Sequence, residues 1–392
     1  MNAPVKLHAR GRASDRVLTD ARIVLDDEVI SGTLAVREGR IHDISPGRSG
    51  LASAESLEGD FLVPGLVDLH TDNFERHAVP RPGVRWDARS ALLSHDAQTA
   101  ASGVTTVFDA LCVGTVVNRN DGRVDTFHQG MAELRAIGAS GLLRCEHRLH
   151  LRCEISVEDV LPLYREVADD PLLDFVSLMD HTPGVGQFGD LERYRSKTAR
   201  GYGMNEAETE RYIAERYALR RQFRDTNRSE LLRLALGRGL PVASHDDRTL
   251  EEVEENHRDG ITISEFPVSL EAARAARARG MRIIAGSPNV VRGGSHSGNV
   301  SVAELIAEDL IDALASDYVP ASMMMSAFAL HASGTLPLPA AIALVASRPA
   351  AMVGLSDRGR IAPSLRADLS QIRLEAGSPH VLQVWRMGLR VA

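Results

Sequence analysis

The feature that most constrains this chain is a repeated grammar: short apolar runs, each ending in ionisable or small residues, each followed by a longer segment with helical features. That alternation specifies βα units and a parallel sheet or barrel. Eight runs read as strands: Phe61–His70, Val104–Asp109, Leu142–Glu154, Leu173–His181, Leu240–Asp246, Ile261–Phe266, Arg282–Gly286 and Ile311–Asp317. Eight parallel strands close a (β/α)8 TIM-like barrel, whose chemistry is built at the C-terminal strand ends. In TNRSELLRLALGRG, Asn227 or Ser229 is placed to cap a helix and Gly237 or Gly239 to end it. The charged segment from Asp190 to Arg228 reads as an insertion over the fourth strand end. It is either a solvated helical surface or a set of arginines for an anionic substrate.

The chain ends have a different texture. From Val17 to Ile44, β-branched runs alternate with Asp-Asp, Ser-Gly and Glu-Gly-Arg turn signals, and the last residues return to short strands and turns. The simplest arrangement is a small β-sandwich made by both termini, residues 1–60 plus 355–392, with the barrel over residues 61–354. With 392 residues a large core is affordable. The balance of 45 basic against 53 acidic side chains, net −8, does not suit a general nucleic-acid binder. Cys112, Cys145 and Cys153 are too few and too irregular for a disulfide framework. The opening MNAPVKLHARGRAS has no apolar signal region, and no later window is apolar enough to cross a bilayer. The sequence therefore predicts a soluble cytoplasmic protein with no membrane partner and leaves homo-oligomerisation open.

The strand ends carry a metal-ligand set. In PGLVDLHTDN, His70 and Asp72 stand two apart and point the same way on an extended chain. The third strand, RLHLRCEI, puts His150, Arg152 and Glu154 on one face, a costly arrangement inside a barrel unless a metal or substrate neutralises it. The fourth, fifth and eighth strand ends offer His181, His245 and Asp317. Imidazole and carboxylate together suit Zn, Mn, Fe or Ni. Any one of these histidines alone reads as structural; their recurrence at strand ends is what a catalytic metal site needs. Asp72, Asp180, Asp246 and Asp247 are alternatively partners that orient imidazoles.

These pieces, PGLVDLH, VTTVFDA and the final ASD, resemble the amidohydrolase superfamily, in which a metal-bearing (β/α)8 barrel is joined to a small β-sandwich. The usual His-x-His is His70-Thr-Asp72 here. No carboxylated lysine is available, because neither Lys6 nor Lys197 lies on a barrel strand. The resemblance makes Glu154 the substitute bridging carboxylate. It leaves open whether His181 or Glu265, which stands where many relatives carry a histidine, completes the set. A narrower resemblance covers almost the whole chain: LHTDNFERHAVPRPGVRW, SHDA, CEHRLHLRCE, SLMDHTPGVGQF, ASHDD, SEFP, SPNVVRGGSHSGN and ASDYVPAS are similar to the diphosphatase family of the carbon-phosphorus lyase pathway.

That resemblance implies hydrolysis of α-D-ribose 1-methylphosphonate 5-triphosphate to the 5-phosphate and pyrophosphate, by a metal-activated water attacking the α-phosphorus. It implies one or two divalent ions, zinc first, on His70, Asp72, Glu154, His181, His245 and Asp317. Asp317 is the proton acceptor, or a ligand only. For the phosphates, the loop after the seventh strand offers Arg292, Gly293, Gly294, Ser295 and His296, with a Gly-rich turn whose N–H groups are placed to cradle an anion. The loop after the first strand adds Arg76 and Arg81, and Asn73 and Gln187 suit ribose hydroxyls. The rivals are a C–N hydrolase, which would not need phosphate-directed charge for a neutral substrate, and a non-catalytic binding homologue. Retention of so many buried ionisable residues argues against the latter.

Overall fold

The computed structural model describes residues 15–81, 83–115, 122–201, 203–294 and 299–392. The chain is an α/β protein, a (β/α)8 TIM-like barrel with a small β-domain, one largely antiparallel sheet drawn from both ends of the chain; the second sheet of the expected β-sandwich is not seen among the described residues. The barrel strands are Leu66–Thr71, Val104–Val113, Glu146–Glu154, Leu173–Met179, Val242–His245, Ile263–Glu265, Arg282–Gly286 and Ala313–Ala315, in sequence order within one sheet. The chain divides into two compact units. One gathers the described parts of Met1–Phe108, Gln129–His147 and Ala313–Ala392, the other those of Asp109–His128 and Arg148–Asp312.

In the first unit the terminal sheet runs Leu389–Arg390, Ser378–Arg386, Leu369–Glu375, Phe61–Pro64, Arg16–Val24, Val29–Arg37 and Arg40–Pro46. Most pairs are antiparallel; Arg16–Val24 pairs in parallel with Phe61–Pro64 and with Glu55–Ser56. The expected first barrel strand, Phe61–His70, is therefore two strands. Phe61–Pro64 belongs to the terminal sheet, and Gly65 breaks the run by handing its N–H to the Asp368 carbonyl. A long apolar run cannot reveal that it serves two sheets. Leu18, Ile23, Leu34, Ile41, Leu57, Leu62, Leu369 and Trp385 form the core of this sheet, drawn from both chain ends. Burying each is worth roughly 1.5–3 kcal/mol. Asp60 ties the ends together again, accepting from Gln371 Nε2 at 2.7 Å and Arg373 Nε at 3.0 Å. The eighth barrel strand lies beside the first: Thr71 and Asp317 form a parallel bridge.

In the second unit the third to seventh barrel strands pair in parallel, with Glu154 opposite Met179 and His245 opposite Glu265. Their C-terminal ends are thus level, and His181, Asp246 and Phe266 lie just past them. The helix expected to start near Asn227 is instead the last third of one 32-residue helix, Glu206–Gly237. Asn205 caps it, in a reciprocal capping box with Glu208. Asn227 is free of capping duty because the chain is already helical; its buried amide donates to the Ile155 and Val157 carbonyls at 3.0 and 2.7 Å. Nor is the segment simply a solvated surface, since Arg216 on it is fully buried. Lys6 lies outside the described residues, and Lys197 falls in Tyr194–Thr198, outside every strand. The three cysteines are buried and form no disulfide. No helix among the described residues is long and apolar enough to cross a membrane.

Candidate metal centre

In the first unit, the strand pairing itself assembles a ligand group. The Asp317 N–H donates to the His70 carbonyl at 2.9 Å, and the Asp72 N–H donates back to the Asp317 carbonyl at 2.8 Å. This exchange places His70 Nε2 3.5 Å from Asp72 Oδ1, and one ligand atom from each of His70, Asp72 and Asp317 lies within 4.8 Å of the others. Asp317 sits at φ 55°, in the left-handed region that aspartate tolerates better than most residues. Beneath the group, buried Asp68 accepts from the Ser316 N–H at 3.0 Å and the His70 N–H at 3.3 Å. Burial pushes its carboxyl up to about 6, against the pull of those hydrogen bonds.

The neighbouring loop fits the sequence expectations less evenly. Exposed Arg76 donates to the Tyr318 carbonyl at 2.5 Å, which ties it to the residue after Asp317. Arg81 is exposed and forms a bridge with Val84. Asn73 is buried and donates through Nδ2 to His95 Nδ1 at 2.9 Å and Gln98 Oε1 at 3.1 Å, which commits both amide hydrogens to the fold. The SHDA motif thus has a structural role that reading for ligands missed. His95 holds Asn73, while Asp96 accepts from the Arg144 and Cys145 N–H groups and faces His147 Nε2 at 3.2 Å.

In the second unit, His181, His245 and Asp246 bring one ligand atom each within 4.8 Å of the others. His245 Nδ1 is 3.0 Å from Asp246 Oδ2, and His181 Nε2 is 3.9 Å from the same oxygen. Asp246, like Asp317, is in the left-handed region, at φ 59°. Glycine suits position 186 beside it: its φ is +50°, and a Cβ there would crowd Asp246 at 3.2 Å. Asp246 therefore joins the converging atoms, whereas Glu154 stands behind His181, its Oε2 2.8 Å from His181 Nδ1. Glu265 is fully buried, 3.7 Å from His245 Nε2 and 3.9 Å from His150 Nε2. Both residues left open by the sequence thus neighbour His245.

Burial would push the Glu154 carboxyl up, but His181 and Arg216 outweigh it and hold it at about 2. Burial pushes His181 down, toward the neutral imidazole a metal requires, against the opposing pull of Glu154. Asp247 has a different duty. It accepts from Ser244 and Ser264 hydroxyls at 2.5 Å and from Asn256 Nδ2 at 2.8 Å, and burial pushes it up to about 6. A small cavity of about 70 Å³ is lined by Asp180, Gly186, Arg220, Arg224, His245 and Asp246 among others. Arg220 is 2.7 Å from Asp180, and Arg224 pairs with Glu255, so much of this positive charge is already neutralised.

Gln187 is half-buried on the turn Gly186–Phe188. Arg292 ends the helix Ser287–Arg292 and is exposed. The expected phosphate cradle is corrected at its glycines: the Gly293 and Gly294 N–H groups donate to the Val290 and Asn289 carbonyls at 3.2 and 3.0 Å. They close the C-terminus of a helix, the negative end of its dipole, and are not aimed at an anion. Ser295 and His296 lie outside the described residues. Histidine and carboxylate in two groups of three fit a divalent ion, which members of the amidohydrolase superfamily bind.

No family model matches the chain. The alpha-D-ribose 1-methylphosphonate 5-triphosphate diphosphatase of Escherichia coli (strain K12) is 41% identical over 377 residues, covering 96% of this chain and 100% of that protein. Solved structures share the fold. A 5-methylcytosine deaminase from Klebsiella pneumoniae has a TM-score of 0.62 at 16% identity, over 96% of this chain and 98% of that one. An N-acetyl-D-glucosamine-6-phosphate deacetylase from Mycobacterium smegmatis gives 0.62 at 16%, over 96% and 100%. A dihydropyrimidinase from Brevibacillus agri gives 0.61 at 12%, over 96% and 95%. At such identities the likeness concerns architecture alone.

Proposed function

Because the chain belongs to the α-D-ribose 1-methylphosphonate 5-triphosphate diphosphatase family of the amidohydrolase superfamily, we propose that it is a cytoplasmic, metal-dependent hydrolase that converts that triphosphate to the 5-phosphate and pyrophosphate. The observation that carries this reading is 41% sequence identity to a named diphosphatase along the whole of that relative's length. We assign the chemistry to the barrel between residues 61 and 354, which begins at Leu66, and a supporting role to the terminal sheet, which also takes in Phe61–Pro64.

His70, Asp72 and Asp317 in one unit form a group suited to hold a divalent ion, and so, separately, do His181, His245 and Asp246 in the other, with zinc the first candidate. When bound, the ion supplies Lewis acidity toward phosphoryl oxygens and acidifies a water. The chain's own contributions are then positional. Asp317 accepts the proton of the attacking water; its main-chain bonds to the first strand fix where that carboxylate starts. Arg76 and Arg292 are the cations we assign to the phosphates, as forks that suit phosphate oxygens. The C–N chemistry of the solved neighbours has only a shared architecture behind it.

The test is product analysis. Zinc-replete protein incubated with the ribose triphosphate should give pyrophosphate and the 5-phosphate by phosphorus NMR. No turnover of it, together with release of acetate or ammonia from amide or amidine substrates, would replace this reading with a C–N hydrolase.

A further inference from the structure

Glu154 and Arg216 are both fully buried, in side chain as well as in whole residue, and they pair at 3.1 Å across 62 positions of sequence. A buried ion pair is weak evidence of stabilisation, since apolar residues of equal volume often do as well. Its geometry suggests another purpose. Glu154 Oε1 accepts from Arg216 Nη2 at 3.1 Å and from the His181 main-chain N–H at 3.1 Å, while Oε2 lies 2.8 Å from His181 Nδ1. All that remains of the His181 ring for a ligand is Nε2, which lies on the Asp246 side, 3.9 Å from Oδ2.

The neighbouring contacts act on the same residue. Arg216, Arg220, Arg224 and Arg228 recur every four residues along the helix Glu206–Gly237, so they share one face. They pair with Glu154, Asp180, Glu255 and Asp259 respectively. The first two of those carboxylates border His181: Glu154 touches its ring, and Asp180 precedes it in the chain. Asp180 is pinned in turn by the Ser156 hydroxyl at 2.7 Å and the Thr182 hydroxyl at 2.6 Å. Phe188 and His245 meet the ring edge-on, with centroids at 5.9 Å each.

We propose that Arg216 is a positioning residue: through Glu154 it holds His181 with Nδ1 protonated and Nε2 turned toward Asp246 as a metal ligand. A carboxylate on the far nitrogen of a ligating histidine fixes its tautomer and raises its basicity. Here the carboxylate is itself fixed by a cation on the inserted helix. The inference rests on the metal-dependent reading above and gives that helix a part in the site.

The test compares wild type, Arg216→Met, Glu154→Gln and the double variant as full-length chains. Zinc(II) affinity is read by competition with a chromophoric chelator, and the His181 tautomer by long-range nitrogen–proton NMR of zinc-free, histidine-labelled protein. Arg216→Met should weaken zinc binding about 10–100-fold and abolish the fixed Nδ1–H tautomer. In the Glu154→Gln background it should add no further loss, because Arg216 acts only through Glu154. Where Arg216→Met does not fold, equal zinc affinity of Glu154→Gln and the double variant carries the same result. Unchanged affinity and tautomer in Arg216→Met, or a further loss from it in the Glu154→Gln background, would overturn the inference. Failure of wild type to bind zinc would instead refute the zinc reading, and the zinc-free tautomer would then decide on Arg216 alone.

Discussion

The first ligand group and His181 of the second are held in position by different means, whereas Asp246 shares the main-chain mode, its N–H donating to the Glu265 carbonyl at 2.9 Å. His70, Asp72 and Asp317 are set by the main chain, through the exchange of N–H groups and carbonyls between the first and eighth strand ends. His181, by contrast, is set by side chains, through a buried carboxylate and a buried guanidinium. Main-chain placement depends on local register and tolerates exposure; Asp72 keeps 29% of its side-chain surface. Placement by buried charge needs complete partners, because each ion removed from water must be compensated. The first group should therefore tolerate loss of a side chain far better than the second.

The sharpest probe of that contrast is Asp317→Asn. Turnover should fall by about 10²–10⁴ with little change in melting temperature, since the bonds that place residue 317 are main-chain. A large drop in melting temperature would show that the side chain holds this end of the barrel. Next comes Arg216→Met, which strands Glu154 as an unpaired buried charge. The expected cost is about 3–5 kcal/mol in urea unfolding, and most of it should vanish when Glu154→Gln is added. A single variant as stable as wild type would remove the distinction between the two groups.

How much of this was legible depended on distance along the chain. His70 and Asp72 are two residues apart on a strand, so their convergence followed from strand periodicity. The alternation of RLHLRCEI likewise gave the buried face of His150, Arg152 and Glu154. The partner of Glu154 lies 62 residues away on a helix whose start was placed 22 residues too late, and the four-residue arginine spacing was the only available signal. Asp246 was read as an orienting partner because nothing in ASHDD separates it from Asp247; their duties diverge only at the turn, where Asp247 points to Ser244, Ser264 and Asn256. A glycine turn after a strand and one closing a helix have the same sequence, so the Gly293-Gly294 pair reads as an anion cradle although its N–H groups close the helix Ser287–Arg292.

Smaller effects refine the comparison within the first unit. Asp68→Asn should cost about 0.5–1.5 kcal/mol, because the main-chain N–H groups of Ser316 and His70 and the Ser316 side chain are donors that an amide oxygen still accepts. A loss as large as that of Arg216→Met would mean that buried carboxylates matter equally in both units. Asp96 offers a pH test. Burial alone would raise its carboxyl, but His147 and the Cys145 and Arg144 N–H groups outweigh that and hold it below the ordinary range. The unfolded chain then takes up the proton first as pH falls, so the stabilisation is full above about pH 4 and is lost below it. Asp96→Asn should flatten the acid limb of urea midpoints measured from pH 5 to pH 2.5. An unchanged acid limb would show that Asp96 does not set it.

The most direct measurement is hydrolysis of the ribose 1-methylphosphonate 5-triphosphate by zinc-replete protein in oxygen-18 water, followed by phosphorus NMR. Pyrophosphate free of label, with the isotope on the ribose 5-phosphate, is the expected result and identifies water attack at the α-phosphorus. Label in pyrophosphate, or release of orthophosphate instead, would contradict it.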